Sequence, residues 1–362
     1  MCVLRRTLSL CLVLSALVAG GSAAAAASGL SPDKTAKASL GLIAGPASAT
    51  ETVLAADIAS LFAENSDLRV FPLLGDAGAG NLASLLGDPY VDIAFVSTDA
   101  LAAQEAKERG LAGKLELVAR LAPQELHVLA RADIGNLSSL SGKAVNFGPA
   151  GSASAITAAS SFKALGVKVE VLNLDASAGI ERLKQGAIAA AVIVGGKPSP
   201  LVSAVPANSG IHLLPVSFGL PLETAYLPTR FLPEDYPNLI QPGGEVATVA
   251  TGMVLLAASV KNDSGSSARV ARFVNTVFPR FAELQAQGRH PKWREVNLAA
   301  SLPGFKRSAA AEAWLKEHPG KAEAKPAAAK ADASETPAFR MSAEQKESLF
   351  KRFIEWQRNK LR

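Results

Sequence analysis

"GKAVNFGPAGSASAITAASSFKALGVKVEVLNL" runs from Gly142 to Leu174, and its reading decides the fold. "GKAVNFG" has the apolar content of a short strand, "SASAITAASSFKALG" has helical spacing, and "VKVEVLNL" alternates as a second strand. A strand, a short loop, a helix and another strand make a βαβ unit with parallel strands. The loop at the mouth of the helix carries Gly148, Gly151, Ser152, Ala153 and Ser154. Glycines there let backbone N–H groups come close to a ligand. The helix start adds unpaired N–H groups and partial positive charge, which suit a carboxylate or a phosphate. No lysine of P-loop type follows, which argues against nucleotide hydrolysis. A plain turn capped by a serine is the alternative reading.

The same alternation extends to both sides. Upstream, "KASLGLIAG" (Lys37 to Gly45), "DLRVFPLL" (Asp67 to Leu74) and "VDIAFVS" (Val91 to Ser97) read as strands. Helices at Ala49 to Glu64 and Asn81 to Leu86 separate them. "LELVARL" (Leu115 to Leu121) and "ELHVLAR" (Glu125 to Arg131) read as two further strands. Downstream, "SAGIERLKQGAI" is a helix and "AAAVIVGG" (Ala189 to Gly196) a buried strand. Apolar strands alternating with helices predict two α/β lobes, each with a parallel sheet covered on both faces. The late run "VATVATGMVLLAAS" (Val246 to Ser259) is assigned back to the first lobe. The expected architecture is α/β, in two lobes with a hinge: lobe 1 from 38–125 and 242–318, lobe 2 from 126–241.

Composition narrows the function. The chain has 362 residues, 49% hydrophobic and 19% charged, enough for two cored lobes. Residues 1–27 open with Arg5 and Arg6, continue apolar from Leu8 to Val18 and end in alanines, the pattern of a secretory signal and of a periplasmic destination. Both cysteines, Cys2 and Cys11, fall in that segment, and the chain has four histidines, so neither disulfide nor metal site is expected. Between Ser28 and His318 there are 25 basic and 26 acidic residues, a net charge of −1. The alkaline balance therefore sits at the ends of the chain, and a nucleic-acid partner is excluded.

Four stretches, taken in order, carry a resemblance: "VDIAFVSTDAL" (Val91 to Leu101), "LAPQELHVLARADIGNLSSLSGKAVNFGPAGSAS" (Leu121 to Ser154), "IAAAVIVGGKPSP" (Ile188 to Pro200) and "YPNLIQPGGEVATVATGMVLLA" (Tyr236 to Ala257). Together they resemble the TAXI family, the solute-binding subunits of one branch of TRAP transporters, over roughly Leu40 to Val277. The resemblance implies a type II periplasmic-binding-protein fold, a small-molecule solute held between the lobes, no cofactor, and delivery to membrane transporter subunits or a sensor. The sequence departs from the family at the first turn. There the family reads Gly-x-x-x-Gly-Thr-Tyr-Tyr, and "GPASATETV" (Gly45 to Val53) keeps Thr50 but has Ala49 and Glu51 instead. Glu51 near the cleft would repel an anion unless it points to solvent.

The expected ligand-binding residues lie at the strand ends of both lobes. They are Ala47, Ser48, Ala49 and Thr50, then Ser97 and Thr98, then Gly148, Gly151, Ser152, Ala153 and Ser154, and last Gly195, Gly196 and Pro198. Two helix starts, at Ala49 and Ser152, would clamp one anion between them. Asp99 is read as a helix N-cap, and His127 as a structural residue of its strand. No Gly-x-Ser-x-Gly, His-Glu-x-x-His or Cys-x-x-Cys occurs, so no catalytic residue is assigned and a binder is preferred to an enzyme on the same fold. A binding or signalling module that has lost its ligand and works through its C-terminal helix is a further alternative.

Residues 319–338 are rich in Ala, Lys and Pro and read as a linker, and residues 339–362 as an amphipathic helix. Ser342 and Gln345 form a capping box ahead of an apolar stripe of Leu349, Phe350, Phe353, Ile354 and Leu361 among basic residues. Such a helix fits a membrane surface or a protein partner. Deleting Pro319 to Arg362 is expected to leave the melting temperature nearly unchanged and to reduce co-sedimentation with anionic vesicles. Unfolding of the truncated chain would place the stripe on the body instead.

Overall fold

The structure is a computed structural model that describes residues 38–63, 67–259 and 265–319. The signal segment, the linker beyond residue 319 and the C-terminal helix expected from the sequence lie outside the described residues.

The chain begins with three βα units: β1 (Ala38–Ile43), α1 (Thr50–Ser60), β2 (Leu68–Leu73), α2 (Ala79–Gly87), β3 (Ile93–Ser97) and α3 (Thr98–Lys107). β4 (Leu115–Arg131) is 17 residues long and crosses into a second set of units. That set holds β5 (Ala144–Asn146), α4 (Ala153–Ala164), β6 (Glu170–Leu172), α5 (Ala176–Lys184) and β7 (Ala190–Gly195). Short elements follow: α6 (Pro200–Ser203), β8 (Ile211–Leu213), α7 (Leu220–Glu223) and β9 (Leu227–Phe231). β10 (Val246–Ala258) returns the chain to the first set, which α8 (Ser266–Val277), α9 (Phe281–Leu284), β11 (Lys306–Arg307) and α10 (Ala309–Glu317) complete.

The sequence predicts two separate parallel sheets, and the structure corrects this. Among the described residues the strands form one continuous sheet in the order β2-β1-β3-β10-β4-β7-β5-β6. Its two wings are parallel, β1 pairing with β2 and β3, and β5 with β6 and β7. Its centre is antiparallel, where β10 pairs with β3 and β4, and β4 with β7. The two strands predicted at 115–121 and 125–131 are one. Pro123 cannot donate to the ladder, and the register shifts there, from Thr251↔Gln124 to Met253↔Leu121, so that two residues of β4 stand opposite Gly252.

Two apolar packings lie against the first wing and two against the second. Leu54, Ile58, Phe273 and Trp293 anchor one, with Leu85, Val96 and Leu256 on the opposite face of the same wing. Phe147, Phe162 and Leu222 pack one face of the second wing, and Ile180, Leu183 and Tyr236 the other. His127 is fully buried, stacks on Phe231 at 4.4 Å and faces the Tyr236 hydroxyl from 2.6 Å, a structural position. Burial holds its pKa down to about 3, so the ring is neutral.

A buried ion pair sits where β4 changes wings. The Lys292 ammonium is 2.6 Å from Glu125 and 2.9 Å from Glu295. Burial alone would drive off its proton, but the two carboxylates more than offset this and raise its pKa above the usual lysine value. Lys292→Ala leaves the Glu125 carboxyl buried without its partner. Urea denaturation is expected to show a loss of about 3–5 kcal/mol, and the double replacement Lys292→Met with Glu125→Leu to recover most of it. A single variant as stable as the parent would mean that the pair contributes nothing.

Candidate functional site

The loops that follow β1, β2, β5, β6 and β7 meet around a cavity of about 520 Å³. Each of these strands ends at the same edge of a parallel wing, where the chain turns and ligands of open α/β sheets bind. The starts of α1, α4 and α5 all reach the cavity wall, through Ala49 to Glu51, Ser152 to Ser154, and Asp175 to Ala178. First-turn amides have no acceptor within their own helix, so each start carries partial positive charge; at α4 the amides of Ala153 and Ala155 are taken by Asp76 O and Ser152 Oγ, which leaves that of Ser154.

Nine of the expected residues line this cavity: Ala47, Ser48, Ala49, Thr50, Gly148, Ser152, Ala153, Ser154 and Gly195. The helix starts at Ala49 and Ser152 face one space. The serine hydroxyls also have structural duties. Ser152 Oγ accepts from the Ala155 amide at 3.2 Å as the N-cap of α4, and Ser154 Oγ accepts from Val194 N at 2.9 Å. Gly148 has φ +90°, and a Cβ there would come within 3.2 Å of Ser154 Cβ and 3.3 Å of Ser152 Oγ. That glycine keeps the mouth of α4 open.

Five expected residues lie off the lining, each for a visible reason. Ser97 and Thr98 are covered by the loop after β2, whose Ala77 carbonyl accepts from Ser97 N at 2.9 Å. Ser97 Oγ is bonded to Asp99, and Thr98 Oγ1 accepts from Gly252 N. Gly151 faces that same loop, and its carbonyl accepts from Ala79 N at 3.0 Å. Gly196 lies behind the wall, where Thr50 Oγ1 donates to its carbonyl at 3.0 Å and a Cβ would meet Lys292 Cγ at 2.8 Å. The Pro198 carbonyl accepts from His290 Nε2 at 3.1 Å. Asp99 is not the N-cap of α3, a place that Ser97 takes. It accepts from Ser97 Oγ and from Thr157 Oγ1 of α4, and burial raises its pKa against the pull of these donors.

The sequence reading missed two segments, Leu74 with Asp76 and Ala77, and Asp175 to Ala178. "GDAGAG" after β2 and "LDASAG" after β6 are strand-to-helix junctions of the same kind as the one at Gly148, and that was the available signal. Asp76 serves its own loop. Oδ1 accepts from Gly78 N at 2.8 Å and Asn81 N at 3.1 Å, and Oδ2 from Gly80 N at 3.0 Å.

Glu51 is the second residue of α1, lines the cavity and is only 2% exposed. Its Oε1 has no hydrogen-bond partner among the described residues. Burial pushes its pKa up to about 7, opposed by its own backbone N–H. The folded state therefore holds this proton up to about pH 7, while an unfolded glutamate releases it near 4.5. Stability is thus expected to fall as pH rises from 4.5 to 7 and then to level off. Glu51→Gln should flatten that slope and, above pH 7, add roughly 3 kcal/mol in urea denaturation. An unchanged slope in the variant would show that Glu51 is not the group responsible.

Residues 42–302 match the NMT1-like family, and the chain belongs to it. Among solved structures it is similar to a TctC solute-binding protein from Polaromonas, with 18% identity over 71% of this chain and 86% of that one and a TM-score of 0.42. It is also similar to a Candida albicans protein described as having the generic periplasmic binding protein fold, with 14% identity over 90% of each chain and a TM-score of 0.48. A third likeness is to an ancestral arginine-binding protein bound to arginine, with 16% identity over 71% of this chain and 96% of that one and a TM-score of 0.42. With its two wings and two crossing strands, the chain has the two-lobe periplasmic-binding-protein fold.

Proposed function

We propose that this member of the NMT1-like family is an extracytoplasmic solute-binding protein. It captures a small anionic organic solute, a carboxylate or an amino acid, between its lobes and delivers it to a TRAP-type transporter of the TAXI branch, or to a membrane sensor. The lobes are 38–125 with 242–318, and 126–241, and they close on the solute by bending at β4 and β10.

The observation that carries this reading is the convergence of three helix starts on one cavity. Its volume, about 520 Å³, falls in the range of small-molecule sites. No lysine or arginine is among the lining residues, so amides and hydroxyls supply the attraction for an anionic group. The resemblance at Leu121 to Ser154 and Ile188 to Pro200 supports the transporter as recipient, and the apolar, alanine-ended segment at 1–27 supports export.

A thermal-shift screen of organic acids and amino acids should find a compound that raises the melting temperature in a concentration-dependent way. Gly148→Val is expected to weaken that compound at least about tenfold, since the side chain would crowd the mouth of α4 and strain a left-handed backbone. Gly151→Val, off the lining, should act indirectly, through strain in its own left-handed backbone and the loop contact with Ala79. Steady turnover of the hit into a product would show an enzyme rather than a binder.

A further inference from the structure

The cavity is uneven in charge. Its charged lining residues are Glu51, Asp76 and Asp175. Asp76 is spent on three amides of its own loop, and Asp175 is exposed at the start of α5. Glu51 differs from both, being buried against the cavity with a carboxyl oxygen that nothing in the described chain satisfies. Nor is it squeezed there by accident of packing. Gly45 stands opposite, and a Cβ at that position would lie 2.9 Å from Glu51 Oε2, so the turn leaves space for this carboxyl.

An unpaired buried carboxyl is costly, and a ligand group that donates to it removes the cost. A solute carboxylate cannot do this. It is repelled by ionised Glu51 and attracted by the starts of α4 and α5, which line the same cavity. A hydroxyl would satisfy the hydrogen bond but not the charge, whereas an ammonium satisfies both. We propose that Glu51 is a ligand-contacting specificity residue that accepts a hydrogen bond from a protonated amine, so that the preferred solute is a zwitterion with its ammonium at Glu51 and its carboxylate at the start of α4. This inference rests on the reading of the cavity as a carboxylate site. It adds the second pole of the ligand and the residue that selects it.

Groups facing Glu51 from the surrounding elements do not offer that charge. From the β2–α2 loop and from α5 come only acids, Asp76 and Asp175. Lys292, behind Gly196 and outside the lining, is engaged by Glu125 and Glu295.

The test is calorimetric titration of the full chain with the standard L-amino acids and, for each, the acid of the same skeleton without the amino group. The expected result at about pH 8 is an amino acid that binds about 100-fold tighter than its amine-free counterpart, because a buried acceptor left unpaired rejects the analogue that lacks the donor. Glu51→Gln should erase most of that ratio, mainly by weakening the amino acid. Wild-type protein provides a second readout that needs no variant to fold. The amino acid requires ionised Glu51 and should bind more weakly on acidification to about pH 5.5, while an amine-free acid would favour protonated Glu51 and bind more tightly. Amine-free acids that bind as well as or better than amino acids, with a ratio unmoved in Glu51→Gln, would overturn the inference and leave the carboxylate site standing. If neither class binds, both readings fall.

Discussion

Everything in this molecule depends on the pairing of β4 with β10. From Ala250↔Glu125 to Ala258↔Leu115 the two strands lie antiparallel, and each continues past that ladder into the other wing. Beyond Glu125, β4 pairs with β7 and β8; before Ala250, β10 pairs with β9. Each strand thus contributes to the cores of both lobes, and neither lobe could lose its share without breaking a central ladder. The bulge opposite Gly252 lies where the wings meet. Bulges twist and weaken a ladder locally, so a bend is easiest there.

The chain distributes its charges accordingly. Ion pairs brace the frame: buried Lys292 with Glu125 at the crossing, and partly buried Arg269 with Asp92 at 2.8 Å beneath β1. Among the described residues, the charged side chains that line the cavity make no such pairs. Its donors are the amides of helix starts, fixed in direction by the backbone and needing no side chain to be ordered on binding. Donors of that kind recognise an anionic group by position more than by charge, and they leave selectivity to whatever side chains stand among them. Glu51 is the buried acidic side chain among the lining residues.

Much of this was legible in the sequence. The βαβ reading of Gly142 to Leu174 gave the right element types because helix and strand periods are distinct over runs of that length. The positions of β1, β2, β3 and β7 followed from apolar runs. What could not be read was pairing. Pro123 looked like the end of a strand, since proline lacks a ladder donor, and only the partner strand shows that a bulge absorbs it. "VATVATGMVLLAAS" could be assigned to the first lobe, yet its central place between β3 and β4 depends on contacts far apart in sequence. At the site, residues at the tips of the Gly148 and Ala49 turns reached the cavity, while Ser97 and Thr98 did not. All stand at strand ends, and the difference is a loop from the neighbouring unit lying over β3. A rule about strand ends finds the right edge of the sheet but not which junction is covered.

That covering loop also ties the site to the meeting of the lobes. Ala79 N donates to Gly151 O and Ala153 N donates to Asp76 O, both at 3.0 Å, so the loops after β2 and β5 are joined backbone to backbone. The approach depends on missing side chains, since a Cβ on Gly78 would come within 2.3 Å of Gly151 O. Ala153 is the first residue of α4, so one of the amides at this helix start is already spent on holding the lobes together. Of the amides beside it, that of Ser152 donates to Pro149 O and that of Ala155 to Ser152 Oγ, so among the described residues Ser154 N is the one left at this helix start. The donor left for a ligand at this turn is therefore adjacent to the one that joins the two loops. On the proposed reading, a solute seated there would touch the very turn whose Ala153 amide meets Asp76 O, so that ligand contacts and the contact between the two loops would share one turn.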